Sequence, residues 1–263
     1  MNECPNCSTK LEDRFQFCPQ CSQSTHVHRF NLPHLFHEIF HAFTHADKGV
    51  LYLAGQLARR PGTTARRYVL EGQRKRYFNP FTFLLLVLGL TIFVNTILHP
   101  YSGEVAQTNA RALPKFNSEQ ARQRYLAVAE RRLAATTFLE ERSNVIFFLV
   151  IPILALVFWL LFIRSGLNYA EHLVALVFFA GFMSLAQTLV LIPLFGLLAP
   201  GRSYGLQAAM LLFHWIYLTI AYYQFLNYQR PVKYLRTGLV SLLALTVWFI
   251  LSGTTFYLYT RFG

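Results

Sequence analysis

Residues Phe81–Leu98 read FTFLLLVLGLTIFVNTIL, a run without a single charged side chain. A helix needs about 20 residues to cross the hydrocarbon core of a bilayer, which is roughly 30 Å thick. Backbone amides and carbonyls cannot stay unpaired in lipid, and this run lacks the alternation of a barrel strand, so a helix is the remaining structure. The stretch therefore predicts a membrane span.

Four further apolar runs of similar length follow in the chain. They are Val145–Ile163, Leu173–Ala199, Leu206–Leu226 and Leu239–Leu258. Of the 263 residues, 54% are hydrophobic and 14% are charged, whereas a soluble domain usually has about 25% charged residues. The composition argues against a soluble enzyme and predicts an all-α polytopic membrane protein with about five transmembrane helices.

The composition also divides the chain into three parts. Residues 1–24 are a cysteine module, 25–80 are expected to be cytoplasmic amphipathic and basic juxtamembrane helices, and 81–263 are the five-span membrane domain. Within the membrane domain, 101–143 is expected to be an external helical segment. An amphipathic helix there, with Asn117 or Ser118 as its N-cap, is expected to lie in solvent or on the membrane surface.

Basic residues outnumber acidic ones by 24 to 12. In a soluble chain this excess indicates nucleic-acid binding, but beside a membrane span it marks the cytoplasmic side. Arg74, Lys75 and Arg76 lie just before the first span, so we expect a cytoplasmic N-terminus and, after five crossings, an external C-terminus. We expect these cations to contact anionic lipid headgroups, with Tyr77 and Phe78 as interfacial rings, and we expect no nucleic-acid partner.

All four cysteines lie near the N-terminus in two Cys-Pro-x-Cys pairs. They are Cys4, Cys7, Cys18 and Cys21. Two close pairs joined by a short loop let four thiolates surround one zinc ion. Disulfides would need an oxidising compartment, whereas the charge bias places the pairs in the reducing cytoplasm. Four sulfur ligands leave no position for a water, so we predict a small zinc ribbon with a structural role.

A histidine-rich segment follows the cysteine module. Six of the nine histidines lie between His26 and His45, and helical spacing would place a histidine face opposite an oily face. His37, Glu38 and His41 match the H-E-x-x-H pattern, in which two histidines hold zinc and the glutamate activates a water. In a segment so rich in histidine, this spacing also arises by chance.

Three interpretations of the histidine face stay open. Glu38 could be the base of a catalytic zinc site held by His37 and His41, with His172 as the most available third ligand. The face could instead bind a metal or respond to protons without catalysis. The third interpretation, which we favour, is a plain polar face whose oily side packs on the bilayer or the spans.

The first third of the chain resembles a known family through a series of short motifs. They are the Cys-x-x-Cys from Cys4, FCPQC at 17–21, HE at 37–38, THADKG at 44–49, RPG at 60–62, EGQRK at 71–75 and NPF at 79–81. In this order the motifs are similar to the bacterial domain-of-unknown-function family three-six-six-seven. The resemblance implies a bacterial inner-membrane protein with an N-terminal zinc ribbon, and it implies no activity. One departure is that Ser8 and Ser22 stand where zinc knuckles usually have glycine.

The spans contain few polar side chains. Asn95, Gln187 and His214 are the main ones, and no Asp, Glu, Lys or Arg lies deep in an apolar run. A proton- or ion-coupled transporter would need such groups. The sequence therefore favours a non-enzymatic membrane scaffold or regulator that engages an unidentified protein partner. The alternatives are a membrane-bound metallohydrolase and a small oligomeric channel or lipid-handling transporter; the oligomeric state stays open, a homo-oligomer included.

Overall fold

The computed structural model describes residues 2–12, 14–25, 49–103, 105–106, 118–198 and 203–262, and the structural statements below concern these ranges. The histidine-rich segment, with His37, Glu38 and His41, lies outside the described residues. Within these ranges the chain is helical apart from two short strands near the N-terminus, which confirms the predicted all-α class.

The strands β1 (Asn2–Glu3) and β2 (Lys10–Leu11) pair antiparallel in the N-terminal module. The helices are α1 (Val50–Arg59), α2 (Pro61–Val69), α3 (Pro80–Leu98), α4 (Glu119–Glu141), α5 (Ser143–Leu161), α6 (Tyr169–Ala186), α7 (Ile192–Leu198), α8 (Ser203–Phe225) and α9 (Pro231–Phe262). A 3₁₀ turn, Ile163–Ser165, follows α5, and a π-helical segment, Gln187–Leu191, joins α6 to α7.

Four stretches of helix are long and apolar enough to cross a membrane. They are Pro80–Leu98, Tyr169–Leu194, Gly205–Phe225 and Pro231–Phe262. A fifth is counted if Glu119–Glu141 and Val145–Leu161, which meet at 79°, form one broken span. By length and composition, the described residues thus contain four to five candidate spans, in agreement with the predicted number.

The Asn-Pro-Phe motif forms the start of the first candidate span. Asn79 Oδ1 accepts hydrogen bonds from Phe81 N at 2.9 Å and from Thr82 N at 3.3 Å. These amides would otherwise lack a partner at the helix N-terminus. Pro80 takes the first helical position, where an N–H is not needed. The motif is therefore a helix-start signal at the edge of the bundle.

Helices α1 and α2 form a cap on one end of the bundle. Their buried side chains, among them Leu53, Leu57 and Tyr68, belong to the same apolar core as the candidate spans. The Pro-Gly pair separates the two helices, because α1 ends at Arg59 and Pro61 begins α2. The cap is therefore continuous with the membrane domain.

Gly62 lets the backbone of α2 touch the backbone of α8. A Cβ at this position would lie 1.9 Å from the carbonyl oxygen of Ala221 and 2.5 Å from the amide nitrogen of Phe225. Gly62 N donates to Gln224 Oε1 at 3.1 Å, and Arg66 Nη1 donates to the Phe225 carbonyl at 3.1 Å. The glycine of the Arg-Pro-Gly motif therefore has a packing role.

Two carboxylates that the sequence does not single out are buried near helix ends. Glu171 is fully buried at the start of α6, where its carboxylate accepts from Asn168 N at 2.8 Å in a capping box. Glu140, near the end of α4, accepts from the amides of Tyr101 at 2.5 Å and Ser102 at 2.9 Å. Backbone amides thus satisfy both carboxylates, and periodicity in the sequence does not reveal such partners.

Tyr77 and Phe78 are also placed differently from the expectation. Both rings were expected at the membrane interface, but they are 4% and 8% exposed, respectively, within the protein core. The neighbouring Lys75 and Arg76 are exposed, and Arg76 Nε donates to Tyr52 Oη at 3.2 Å. The rings therefore fasten this segment to the cap, while the cations remain outside.

Candidate metal centre

The four cysteine Sγ atoms converge in the N-terminal module. All four lie within 4.8 Å of one another. Cys4 Sγ is 3.6 Å from Cys21 Sγ, and Cys7 Sγ is 3.6 Å from Cys18 Sγ. A disulfide would need a sulfur separation of about 2.05 Å, and the four cysteines are free. The two Cys-x-x-Cys pairs therefore face each other as one cluster of thiols.

The two cysteine loops share the same backbone geometry. Ser8 N donates to the Cys4 carbonyl at 2.8 Å, and Ser22 N donates to the Cys18 carbonyl at 2.8 Å. Ser8 and Ser22 take left-handed φ angles of 60° and 56°, a conformation that normally favours glycine. Serine therefore occupies the glycine position of both knuckles without changing their geometry, so this departure does not prevent the fold.

The arrangement of the sulfurs fits a tetrahedral metal ion. Thiolate bonds of about 2.3 Å in tetrahedral geometry would separate the sulfurs by about 3.8 Å, close to the two separations of 3.6 Å. The cluster could thus hold a metal ion through Cys4, Cys7, Cys18 and Cys21. Such a site has all four positions filled by sulfur and leaves none for a water or a substrate.

The surroundings of the cluster give two of its thiols different pKa values. Hydrogen bonds from the Thr9 hydroxyl and amide lower the pKa of Cys7 to about 6. Burial raises the pKa of Cys4 to about 11. Metal ligands must be thiolates, and a bound cation would favour deprotonation of both groups. The buried cysteine is therefore the ligand for which a bound metal changes the protonation state most.

The protein part of the module has little core of its own. The buried apolar cluster consists of Cys4, Leu11 and Cys18, with Phe15 and Cys21 partly buried beside it. Two of the three fully buried members are thus cysteines. A unit of this size cannot bury enough apolar surface to fold by itself, so a bound metal would have to supply most of its folding energy.

The Gln23 side chain contacts the segment before the first span. Gln23 is 4% exposed, and its Oε1 accepts a hydrogen bond from Lys75 N at 3.0 Å. The sequence does not reveal this contact, because the two residues are 52 positions apart and glutamine has no distinctive pattern. The module therefore contacts the segment before α3 through a part-buried polar contact.

His172, the proposed third ligand of the histidine site, lies in an aromatic core. Its side chain is fully buried, and its ring lies 5.8 Å from the Tyr222 ring and 6.2 Å from the Phe225 ring. Neither ring nitrogen has a hydrogen-bond partner among the described residues. The joint site with His37 and His41 stays a prediction, because those two lie outside the described ranges.

Among the described residues, the four cysteines are the only group of three or more histidine, cysteine or carboxylate side chains close enough to hold a metal. The comparisons with known proteins add one finding. A family model described as a protein of unknown function (DUF3667) matches residues 47–92, which include the cap and about the first two thirds of α3. No curated protein and no solved structure matches the chain. Over residues 47–92 the chain is therefore similar to this family, as its motifs predicted.

Proposed function

We propose that this protein is an integral membrane scaffold or regulatory protein whose N-terminal module holds one structural zinc ion and engages a protein partner. The observation that carries the proposal is the convergence of the four Sγ atoms within 4.8 Å. Four sulfur ligands complete a tetrahedral site, and such a site stabilises a fold without offering an open position for catalysis.

The choice of zinc rests on the donor set and its spacing. Four thiolates suit zinc or iron. Two Cys-x-x-Cys pairs separated by a short loop are the ligand spacing of structural zinc sites. Zinc also has no redox chemistry, which suits a site that only holds a fold together.

The module presents an aromatic side chain to a partner. Phe17 is 60% exposed, although it lies in an isolated β-bridge with Ser24 directly beside the cysteine cluster. Exposed aromatic side chains held by rigid elements are typical anchors of protein interfaces. The Gln23 contact with Lys75 would connect a partner bound at Phe17 to the segment between the cap and α3.

We place the module and the cap in the cytoplasm of a bacterial cell, and the C-terminus outside the inner membrane. Support for this orientation comes from the basic residues before the first span, which the positive-inside rule keeps in the cytoplasm. In a variant without native cysteines, an impermeant thiol reagent added from outside should label Ser118→Cys and not Ser24→Cys. The reverse labelling would exclude this orientation.

Site-specific crosslinking tests the proposed partner binding. A photoreactive amino acid at position 17, in the full-length protein in cells, should give a discrete adduct with one protein. The same photoreactive residue at Lys10, which is exposed on β2, is the positional control. Adding Cys18→Ser should abolish the adduct because the knuckle no longer holds Phe17 in place. Equal adducts at both positions, or an adduct that survives Cys18→Ser, would contradict the proposal.

A further inference from the structure

A cavity of about 450 Å³ opens between α2, the turn after α5 and the connection from α8 to α9. Four of the side chains that line it are cations: Arg66, Arg164, Lys233 and Arg236. None of its lining residues is acidic. Its volume falls in the range of about 300–1,000 Å³ that is usual for small-molecule sites.

The four cations come from three separate segments of the chain. Arg66 belongs to α2, Arg164 to the 3₁₀ turn after α5, and Lys233 and Arg236 lie one turn apart at the start of α9. Basic residues near the ends of spans can orient a membrane protein without lying close to one another. Their convergence on one concave surface is therefore an additional property of the fold, which topology alone does not require.

Only one of these cations is paired with an acidic group among the described residues. Arg66 Nε lies 3.6 Å from Glu71 Oε1, and Arg66 also donates to the Phe225 carbonyl. Arg164, Lys233 and Arg236 have no carboxylate within ion-pair distance in the part of the chain that the structure describes. Three like charges around one cavity repel each other, and an anion between them would relieve the repulsion.

Aromatic rings hold two of the cations at the cavity wall. The Lys233 ammonium lies 5.2 Å from the Tyr228 ring centroid, and the Arg236 guanidinium lies 5.9 Å from the Phe162 ring centroid. Both rings also line the cavity. Such cation–aromatic contacts restrict the long side chains and leave their N–H groups available to a ligand. Guanidinium groups form paired hydrogen bonds with carboxylate and phosphate oxygens alike, but a phosphate monoester offers three acceptor oxygens and up to about two negative charges to several cations at once.

We propose that this cavity binds a phosphate group, carried either by the headgroup of an anionic phospholipid or by a soluble phosphate ester. The cavity lies where the candidate spans end, at the level that headgroups occupy if these helices cross a bilayer. This site is separate from the cysteine module and does not depend on the proposed function.

The test uses full-length protein in nanodiscs of phosphatidylcholine with two probes. The first is phosphatidic acid added to the nanodisc lipid, and its retention on the protein is measured by native mass spectrometry. The second is glycerol 3-phosphate in solution, and its binding is measured by calorimetry. Retention of phosphatidic acid alone identifies the lipid as the source of the phosphate, and binding of glycerol 3-phosphate identifies a soluble ester.

Two charge-matched variants separate the cavity from general positive charge. Arg164→Gln with Arg236→Gln removes two cavity arginines and spares Arg66, which holds α2 on α8. Arg59→Gln with Arg230→Gln removes two exposed arginines that do not line the cavity. We expect the cavity variant to weaken binding of the active probe at least about tenfold. The control variant should change it less than twofold.

A second cavity variant guards against loss of folding in the first. Ser165→Asp keeps all four cations and adds a carboxylate to the lining, so it should compete with the phosphate and weaken binding at least tenfold. Circular dichroism reports the helix content of each variant. The proposal is overturned if wild-type protein binds neither probe, if both cavity variants bind like wild type, or if the charge-matched control loses as much binding as the cavity variant.

Discussion

The cysteine module and the cap occupy neighbouring parts of the chain, but different forces hold them. The module has Leu11 as its one fully buried apolar residue besides two cysteines among the residues that the structure describes. The cap buries Leu53, Leu57 and Tyr68 in the core of the bundle. The comparison shows that metal ligation would stabilise the first unit, whereas apolar burial and close helix contact stabilise the second. Removing the metal should therefore leave the cap intact, and disrupting the cap should leave the module intact.

Cys18→Ser should have the largest effect on the module. Structural zinc sites contribute apparent binding free energies of about 10–16 kcal/mol near neutral pH, so loss of one ligand should release the metal and unfold the module. Metal analysis should fall from one ion per chain to none. Trypsin should then cleave rapidly after Lys10 and Arg14, while the helix content stays unchanged.

Gln20→Ala is the matched control for this change, because Gln20 is exposed and lies between Cys18 and Cys21. It should retain one metal per chain and resist trypsin like the wild type. A Cys18→Ser protein that loses its membrane helices together with the metal would show that the two units do not fold independently.

Gly62→Ala should disrupt the cap and spare the module. The new Cβ would overlap the backbone of Ala221 and Phe225, and backbone atoms on two packed helices cannot give way cheaply. We expect a loss of about 3 kcal/mol or more, seen as a lower unfolding midpoint of the purified protein. Gly55→Ala on α1 is the control, since nothing lies within 4 Å of its Cβ, and it should stabilise by up to about 1 kcal/mol.

The metal content distinguishes this effect from the previous one. Both glycine variants should keep one metal ion per chain, because neither touches the cysteine cluster. Loss of metal from Gly62→Ala would mean that the module depends on the cap for its fold. That result would contradict independent stabilisation of the two units.

Gln23→Ala removes a contact between the module and the segment that follows the cap. It leaves the part-buried amide of Lys75 without its acceptor, a loss of about 0.5–1.5 kcal/mol. Amide hydrogen exchange around residue 75 should accelerate by up to about tenfold, while the metal content stays the same. Gln16→Ala, at an exposed side chain of the module, should leave the exchange unchanged. Unchanged exchange in both variants would show that Gln23 does not couple the units.

Ser22→Gly should produce the smallest change, and it should be stabilising. Serine at a φ of 56° is strained, and glycine removes that strain at the cost of a more flexible unfolded chain. The folded module should gain about 1 kcal/mol or less in stability. Half-release of the metal should then need a chelator concentration up to roughly fivefold higher. Gln20→Gly, at a position without positive φ, should release the metal at lower chelator concentration. Release of the metal from Ser22→Gly at a lower chelator concentration than from Gln20→Gly would exclude backbone strain at Ser22.

The predictions from sequence succeeded where a local pattern determines the structure. The cysteine pairs and the apolar runs both depend on residues that lie close together in the chain. Contacts over long separations were missed. Gly62 and Gln224 are 162 positions apart, and the cations of the cavity come from three segments. Glu140 has its partners on the loop after α3. None of these contacts has a periodic signature, because they arise only when the helices pack.

The coordination of the metal tests the central claim most directly. X-ray absorption at the zinc edge, measured on the purified full-length protein, should show four sulfur ligands at about 2.3 Å and no nitrogen or oxygen ligand. Metal analysis of the same sample should give one zinc per chain, unchanged when His37 and His41 are both replaced by alanine. A nitrogen or oxygen ligand in the spectrum, or a second zinc lost with His37 and His41, would contradict a purely structural site and favour the metallohydrolase with Glu38 as its base.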